Sequence, residues 1–451
     1  MNQHRHAKIY LKDDLIFLPT IQAFIEKTTL AFGLGQSEAL ALTLAGEEIF
    51  TYLCTNIKPA AEIEINCYEG GYYAALQFSL PVQSMAMRAF NLTSTININD
   101  ETSLDEMGLL IASRMVDQLQ ISQSDNRHLK LWLRKDKSYP RIDQENQISG
   151  TPPTDNLAVV TPDTEELKFF IRACHHYVDA PLLPQEFHYP GKIVDMIKTG
   201  DYRAAIIRDP AGHIGGGILW YWSSGKVVEC HGPFILARDK ASSLSPETRR
   251  NMAESLLEHC LNAIARTPAV GLLNRTPGFD LPRHHFEVLG TTLEYHGPAP
   301  ATEIPALFRQ VQEDPGSIAW VHPEIAAFTR KEFQRLSLPR EIRLSSNSGE
   351  AKDDFSVLTT KSDRPRQMIT LYPLWDGNDL KKNVAEHLSL CRKEEFTNIF
   401  FVLDLGDSNN TAFVPALLEN GFTPRLMLPY AGKGDLLILQ ETSMPEIGSD
   451  R

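Results

Sequence analysis

Residues 39–56 read ALALTLAGEEIFTYLCTN, and the apolar residues of this stretch recur at the spacings of a helix. Four of them form one stripe at intervals of three and four residues: Leu42, Ala45, Ile49 and Leu53. Such a stripe is typical of a helix face that packs into a core. A neighbouring stripe carries the carboxylate of Glu48 between Leu44 and Tyr52. Because burying an unpaired charge is costly, Glu48 indicates either a ligand site or the solvent edge of the helix.

The length and composition are those of a multidomain globular protein. A chain of 451 residues exceeds one ordinary domain, and about two or three are expected. The hydrophobic fraction is 42%, and no segment approaches the ~20 consecutive apolar residues of a membrane helix. The start, MNQHRHAKIY, lacks the apolar core of a signal peptide. We therefore expect a protein without a membrane partner.

Cysteine usage and net charge restrict the compartment and the partners. The cysteines are scattered without a Cys-x-x-Cys pair, which favours reduced thiols over disulfides or a zinc site. The formal net charge of −13 disfavours non-specific binding to nucleic acid. The sequence thus predicts an acidic, cytoplasmic protein with no nucleic-acid partner.

The first third of the chain combines helical and strand patterns in a defined order. The predicted elements are strand 9–16, helix 17–32, helix 39–56, strands 61–68 and 72–80, helix 103–119 and a strand around 129–133. Ser37 is the expected N-cap of the helix over 39–56. The two strands that flank Glu69-Gly70-Gly71 predict an antiparallel hairpin.

This order and two motifs resemble the GHKL ATPases, and more narrowly the anti-sigma-factor serine kinases. Their core helix carries E-E-I-x-x-N, and this chain has Glu47-Glu48-Ile49 followed at the last position by Tyr52. Their last helix runs G-L-x-L-x-x-x-x-V-D, and residues 108–117 read GLLIASRMVD. The resemblance spans about residues 9–136 and implies a GHKL-type α/β sandwich over 1–137. The nucleotide-binding positions that it implies are Glu48, Tyr52, Gly108 and Leu109, with Glu48 as the catalytic carboxylate of any activity.

Three departures from that family bear on the chemistry. Tyr52 stands where an asparagine would hold Mg²⁺, and a tyrosine is a poor ligand for a hard cation. Residues 78–81, FSLP, lack the aspartate and glycine that would read adenine. Gly108 follows Asp105 and Glu106, two carboxylates that would repel phosphate. We therefore expect Mg-ATP to bind weakly or not at all.

Residues 138–156 have the composition of a linker, and a second pattern of elements follows them. The elements predicted there are strand 157–160, helices 164–178 and 191–198, strands 202–208, 214–223 and 227–236, helix 246–266, strand 270–274 and a short helix over 282–289. Thr161 or Asp163 is the expected cap of the first helix.

This second order resembles the GNAT acyltransferases, whose closing motif is similar to Phe286-Glu287-Val288-Leu289-Gly290. The resemblance implies a GNAT-like mixed-sheet α/β domain over 157–320 that binds acetyl-CoA or another acyl-CoA. In that family the pyrophosphate lies on the loop before the long helix, so Arg238, Lys240 and Arg249 are the basic residues expected near it. The loop here contains no glycine, and Phe286 stands where the general-acid tyrosine is usual.

The last third shows a shorter version of the same order. The predicted elements are helix 328–336, strands 340–344, 355–360 and 368–374, helix 379–391, strand 399–405, helix 411–419 and strand 433–440. Residues 416–422, ALLENGF, resemble the GNAT closing motif. We predict a second, truncated GNAT-like domain over 321–440 and a disordered tail over 441–451.

Three pairs of adjacent residues could carry chemistry. The pairs His175-His176 and His284-His285 would point in different directions on a helix, whereas metal ligands favour the i, i+4 spacing. We therefore expect surface or capping histidines and no metal site. Cys230 and His231 adjoin on a predicted strand, so their side chains should face opposite sides.

The sequence as a whole predicts an α/β (α+β) protein with a regulatory role. The expected function is sensing a ligand or binding a regulatory protein, such as a sigma factor or an antagonist of an anti-sigma factor. Two alternatives remain open: an acyl-CoA-dependent N-acyltransferase with a nucleotide-binding regulatory domain, and a non-catalytic interaction scaffold. Complete nucleotide-loop glycines would favour a nucleotide switch, and a complete CoA loop would favour an enzyme; the chain has neither.

Limited proteolysis of the full chain should cut first within residues 138–156. A polar segment rich in proline and glycine exposes its backbone to proteases. Mass spectrometry of the earliest fragments measures the cut. A stable early fragment that spans these residues would contradict the predicted boundary.

Overall fold

The computed structural model describes residues 5–56, 62–81, 91, 108–109, 111–124, 128–142, 153, 156–236, 244–295, 300–345, 352, 354–364 and 366–442. The chain is a mixed α/β protein, as predicted, and it divides into two compact units. The first unit contains Met1–Tyr139, Ala351–Thr360 and Tyr372–Leu390; the second contains Pro140–Glu350, Lys361–Leu371 and Cys391–Arg451. The first unit thus includes two segments that the sequence assigns to its C-terminal domain.

The N-terminal part of the first unit is an antiparallel sheet with two helices. Its elements are β1 (His6–Lys12), α1 (Leu18–Ala31), α2 (Gln36–Asn56), β2 (Glu62–Glu69), β3 (Tyr73–Pro81), β4 (Gln118–Ser124) and β5 (His128–Asp136). The strand order is β1-β2-β3-β5-β4, and every neighbouring pair is antiparallel. The predicted hairpin is confirmed as β2 and β3.

Helix α2 supplies the centre of the core in this unit. The apolar stripe read from the sequence is fully buried: Leu42, Ala45, Ile49 and Leu53. Gly46 lies on the same side, where a β-carbon would overlap the side chains of Ile25 on α1 and Leu76 on β3. The glycine therefore permits close packing of α2 at some cost in helix propensity. Tyr52 also belongs to this core and is 2% exposed.

Two predictions for the first unit are wrong in detail. Helix α2 begins at Gln36, so Ser37 lies inside the helix and is not its N-cap. Part of the predicted helix 103–119 lies outside the described residues; the helical residues are 108–109 and 111–115, and β4 begins at Gln118. In β4, buried Ile121 pairs with Leu131 of β5. That pairing comes from a strand later in the chain, which helical periodicity cannot report.

The remaining strands and helices follow in the order of the chain. They are β6 (Ala158–Val160), α3 (Thr164–Tyr177), α4 (Pro190–Thr199), β7 (Tyr202–Arg208), β8 (Ile214–Trp222), β9 (Val227–Ile235), α5 (Pro246–Ile264), β10 (Gly271–Asn274), β11 (Glu287–Glu294), β12 (Thr302–Gln310), β13 (Ser317–Val321), α6 (Ala326–Arg335), β14 (Arg340–Leu344), β15 (Val357–Asp363), β16 (Met368–Trp375), α7 (Leu380–Lys393), β17 (Asn398–Asp404), α8 (Val414–Glu419), β18 (Phe422–Leu428) and β19 (Leu436–Glu441). None of the described helices is long and apolar enough to cross a membrane.

Local sequence explains where the two best-capped helices begin. Asp163 caps α3 by accepting from the backbone N–H groups of Glu165 and Glu166, and the Glu166 side chain accepts from the Asp163 N–H in return. This capping box satisfies donors that the first turn would otherwise leave open. Ser245 caps α5 through the N–H of Thr248, and Pro246 occupies the first turn.

Most of these strands form one sheet, in which an arrangement of strands recurs. The order of the described strands is β15-β16-β17-β19-β18-β11-β12-β10-β9-β8-β7-β6. Strands β9 and β10 are parallel neighbours that flank α5 in the chain, and β16 and β17 are parallel neighbours that flank α7. In both cases two antiparallel strands follow: β12 then β11, and β19 then β18.

The two arrangements meet at one antiparallel contact between β11 and β18. Gly290 pairs with Leu426, and a β-carbon at Gly290 would lie 2.7 Å from Leu426 Cβ and 3.0 Å from Arg425 O. Next to this pair, the Gln440 amide bonds the backbone of β11: its Oε1 accepts from Leu293 N at 2.9 Å, and its Nε2 donates to Leu293 O at 2.6 Å. The contact pairs two strand edges that would otherwise present open hydrogen-bonding groups.

The predictions around this junction are only partly correct. The predicted helix 282–289 is a 3-10 turn, Arg283–His285, followed by β11, and β12, β13 and β18 were not predicted. The predicted helix 411–419 is a 3-10 segment, Ser408–Phe413, followed by α8. Strand β11 pairs with β12, the next strand in the chain, and through Gly290 with β18, which lies far along the chain; the periodicity of β11 itself identifies neither partner.

Replacing Gly290 with alanine should destabilise the protein, because the new β-carbon has no room beside Leu426. We expect a loss of about 1–3 kcal/mol in the free energy of unfolding, the usual cost of overpacking. Gly225→Ala is the matched control, since a β-carbon there meets nothing within 4 Å. Chemical denaturation measures both variants, and equal stabilities would contradict the close approach at Gly290.

Candidate functional site

The candidate site lies where the parallel strands β9 and β10 stop pairing. Their paired residues end at Glu229 and Leu273, while β9 continues to Ile235 along its other neighbour, β8. Ligands of α/β sheets commonly bind beyond the carboxyl ends of parallel strands. We call the polar group at this point the strand-end site and define it by its residues: Tyr221, Glu229, His231 and Arg275.

Glu229 is the buried charge of the strand-end site. Arg275 donates to it from Nε and Nη2, each at 2.9 Å, and the Tyr221 hydroxyl donates at 2.9 Å. Burial alone would raise the pKa of Glu229, but Arg275 and Tyr221 hold it below its ordinary value. Burial and the neighbouring carboxylate raise the pKa of Tyr221. Glu229 is therefore ionised at neutral pH and is a weak base, since its lone pairs are already engaged.

His231 shares the face of Glu229 and stacks on two tyrosines. The ring centroids lie 5.7 Å from Tyr221 and 6.5 Å from Tyr202. Burial lowers the pKa of His231, although Glu229 acts in the opposite direction, and the ring is therefore neutral at physiological pH. Its Nδ1 atom is buried and has no hydrogen-bond partner among the described residues. His231 is the group of this site best suited to accept a proton.

Cys230 lies on the opposite face of β9, as the alternation of strand residues predicts. It packs in the core cluster that contains Leu256 and Cys260 of α5. Burial raises its pKa to about 12, and Asn274 donates to its sulfur from Nδ2 at 3.6 Å. Asn274 Nδ2 also donates to Gly232 O at 3.2 Å. Cys230 is therefore a protonated core residue and forms no thiol–imidazole pair with His231.

The basic residue expected to contact an acyl-CoA is engaged within the protein. Arg249 forms a bidentate ion pair with Asp280, whose Oδ2 accepts from Nη2 at 2.8 Å. The same Oδ2 accepts from Ile235 N at 3.1 Å, at the end of β9. Glu247 places a negative charge in the first turn of α5, which disfavours an anion there. Arg238 and Lys240 lie outside the described residues. Of the three basic residues expected near an acyl-CoA pyrophosphate, the structure therefore describes only Arg249, and its guanidinium is held by Asp280.

In the first unit, two of the four predicted nucleotide-binding residues are neighbours. A β-carbon at Gly108 would overlap Glu48 Oε2, so the carboxylate lies against the glycine backbone. Leu109 is fully buried and, like Tyr52, belongs to the hydrophobic core. Leu109 has no ligand atom, and the hydroxyl of the buried Tyr52 is a poor ligand for a hard cation such as Mg²⁺. Of the four predicted residues, Glu48 and Gly108 thus lie together, whereas Tyr52 and Leu109 are part of the core.

The sequence analysis missed the strand-end site. The signal for it was the same-face spacing of Glu229 and His231 on a strand predicted to be buried, followed by Asn274-Arg275 at the end of β10. A carboxylate on a buried strand requires a partner. Because Arg275 lies far along the chain from Glu229, only the parallel pairing of β9 and β10 identifies it.

No protein-family profile and no curated protein sequence matches this chain. The structural neighbours are acetyltransferases. A putative acetyltransferase from Acinetobacter baylyi ADP1 has 9% identity and a TM-score of 0.27, over 34% of this chain and 93% of its own. The aminoglycoside 6'-acetyltransferase type Ii has 10% identity and a TM-score of 0.26, over 35% of this chain and 99% of its own. A GNAT-family acetyltransferase from Staphylococcus aureus Mu50 has 11% identity and a TM-score of 0.25, over 35% of this chain and 100% of its own. Each of these similarities covers about a third of this chain.

Replacing Glu229 with glutamine should destabilise the protein most near neutral pH. The lowered pKa of Glu229 means that its stabilising effect is present above the ordinary glutamate range and is lost as the pH falls below it. We expect a loss of about 1–3 kcal/mol at pH 7, because the two charged hydrogen bonds from Arg275 to the buried carboxylate are lost. Unfolding free energies measured from pH 7 to pH 3 should show the difference from wild type shrinking.

The control is an exposed ion pair of the same charges. Asp195→Asn removes the partner of Lys198 on α4, and such a pair is worth about 0–1 kcal/mol. Equal losses for the two variants, or a Glu229→Gln difference that does not change with pH, would contradict the ion pair at the strand-end site.

Proposed function

We propose that this chain is a regulatory binding protein in which neither unit catalyses a reaction, and which senses a ligand or binds a partner protein. The observation that carries the proposal concerns the Asp280 carboxylate. It accepts hydrogen bonds from both the Arg249 guanidinium and the Ile235 N–H. These are the groups at the end of β9 that an anionic cofactor would otherwise contact. Internal pairing of this kind supports a structural role for the site.

The first unit supports a degenerate GHKL-like domain of the anti-sigma-kinase type. The order of α1, α2, the hairpin and the later strands agrees with that resemblance, and Glu48 lies against Gly108. Tyr52, at the position of the family's magnesium ligand, is packed in the core. A domain of this kind would bind a regulatory protein, such as a sigma factor or an antagonist of an anti-sigma factor, without phosphorylating it.

The large sheet supports a tandem GNAT-like module. Strand β6, helices α3 and α4, strands β7 to β9, helix α5 and strand β10 follow one another in the chain in the order that the resemblance implies. The strand order β16-β17-β19-β18, with α7 between β16 and β17 in the chain, repeats the later part of that arrangement. Acyl-CoA is the ligand class that the resemblance assigns to such a module, whether or not it is turned over.

A second candidate function is acyl-CoA-dependent N-acyl transfer. One observation favours it: His231 is neutral, and its Nδ1 has no partner among the described residues, beside the ionised Glu229. A neutral imidazole in this position could remove a proton from an ammonium group. A third candidate function is that of a scaffold. Such a scaffold would bind proteins only, whereas the preferred function also allows a small-molecule ligand.

Isothermal titration of the full chain with Mg-ATP and, separately, with acetyl-CoA tests these functions. We expect Mg-ATP to bind with a Kd above about 1 mM, which is a binding free energy weaker than about −4 kcal/mol, because Tyr52 is a poor ligand for Mg²⁺. A separate acetylation assay with acetyl-CoA and polyamine or peptide amines should give no product, because Asp280 already holds the groups at the end of β9. Mass spectrometry of the purified protein identifies any small molecule that accompanies it.

Paired variants distinguish binding from catalysis. A micromolar Kd for Mg-ATP, with hydrolysis that Glu48→Ala abolishes, would overturn the proposal for the first unit. Amine acetylation that His231→Gln abolishes and Cys230→Ser retains would replace the regulatory reading with the acyltransferase. Cys230 is the matched control because it adjoins His231 on β9 and faces the core.

A further inference from the structure

Two adjacent histidines and a glutamate converge on the surface formed by α5 and the 3-10 turn Arg283–His285. His285 Nε2 lies 2.8 Å from Glu254 Oε2, and His284 Nε2 lies 3.4 Å from Glu254 Oε1. The two imidazole centroids are 4.2 Å apart. The sequence prediction that these histidines point apart is therefore wrong: it assumed a helix, and the residues form a 3-10 turn that brings both rings to one carboxylate.

We propose that Glu254, His284 and His285 form a binding site for a divalent transition metal such as Zn²⁺. Their ligand atoms all lie within 4.8 Å of one another, and the described residues contain no other group of three such side chains. Ligand atoms around a tetrahedral zinc ion are about 3.3 Å apart, as bonds of about 2.0–2.1 Å require. Small rotations of the two rings would bring the three ligand atoms to this spacing.

The donor set selects the class of metal. Two imidazole nitrogens and a carboxylate oxygen suit zinc, nickel, cobalt and copper, whereas magnesium and calcium favour oxygen ligands alone. Three protein ligands leave at least one coordination position for water or another ligand. The partly exposed His284 and His285 rings place that position toward solvent.

The backbone around the group is held by the fold. Helix α5 anchors Glu254 through its buried neighbours Ala253 and Leu256. On the other side, Arg309 of β12 donates from Nη1 to His285 O at 3.4 Å. Both ligand-bearing segments therefore keep their places when the rings turn, which reduces the cost of closing the group around an ion.

Zinc titration of the full chain tests the site after chelator treatment and desalting. We expect one Zn²⁺ per chain by isothermal titration. The variants His284→Ala, His285→Ala and Glu254→Gln should each weaken zinc binding at least about tenfold, since losing even a hydrogen-bond partner of a metal ligand has about that effect. Because His284 is mostly exposed, its variant should unfold like the metal-free wild type by circular dichroism. Loss of binding is then separated from loss of fold.

Two controls address other ligands in the chain. His176→Ala alters the other adjacent pair, and His6→Ala removes an imidazole near the chain start; both should bind zinc like wild type. A Co²⁺ spectrum without thiolate charge-transfer bands excludes the cysteines. Unchanged zinc affinity in His284→Ala/His285→Ala, or thiolate bands with Co²⁺, would overturn the proposal.

Discussion

The pairing of β11 with β18 is the constraint on which the large sheet depends. Each strand would otherwise end its part of the sheet with open N–H and C=O groups, and an open edge invites association with other chains. The contact requires a residue without a side chain, Gly290, opposite Leu426. The fully buried Gln440 amide then replaces a stretch of strand pairing by bonding both backbone groups of Leu293. One glycine and one amide thus make two arrangements of strands continuous.

Buried charges in this acidic chain are matched by arginines within the protein. Arg340 is fully buried between Asp314 and Asp435, and the Tyr430 hydroxyl donates to Asp314. Glu229 with Arg275, and Asp280 with Arg249, follow the same pattern. Such pairs cost desolvation energy, and removing one partner is costly because a charge then stays unpaired. These arginines therefore hold the fold together, which is why basic residues near an expected anion site need not bind an anion.

Some features of the candidate sites could be predicted from the sequence, and others could not. Two motifs named Glu48 and Gly108, and the structure places the Glu48 carboxylate against Gly108, whereas Tyr52 and Leu109 belong to the core. Arg249 could be recognised as a basic residue at the start of a long helix. Its partner Asp280 could not, because nothing local relates two residues that lie 31 positions apart.

The sequence by itself determined the elements whose signals are local. The stripe of α2 and the cap of α3 each follow from residues within a few positions of one another, because a helix makes its hydrogen bonds within four residues. Tertiary structure alone decided the pairing of β11 with β18, because these strands lie far apart in the chain. It also brought Arg275 to Glu229 and turned His284 and His285 toward Glu254. A sequence pattern reports which face of a segment is apolar, whereas the partner of a strand or a charge is chosen by the packing of the whole fold.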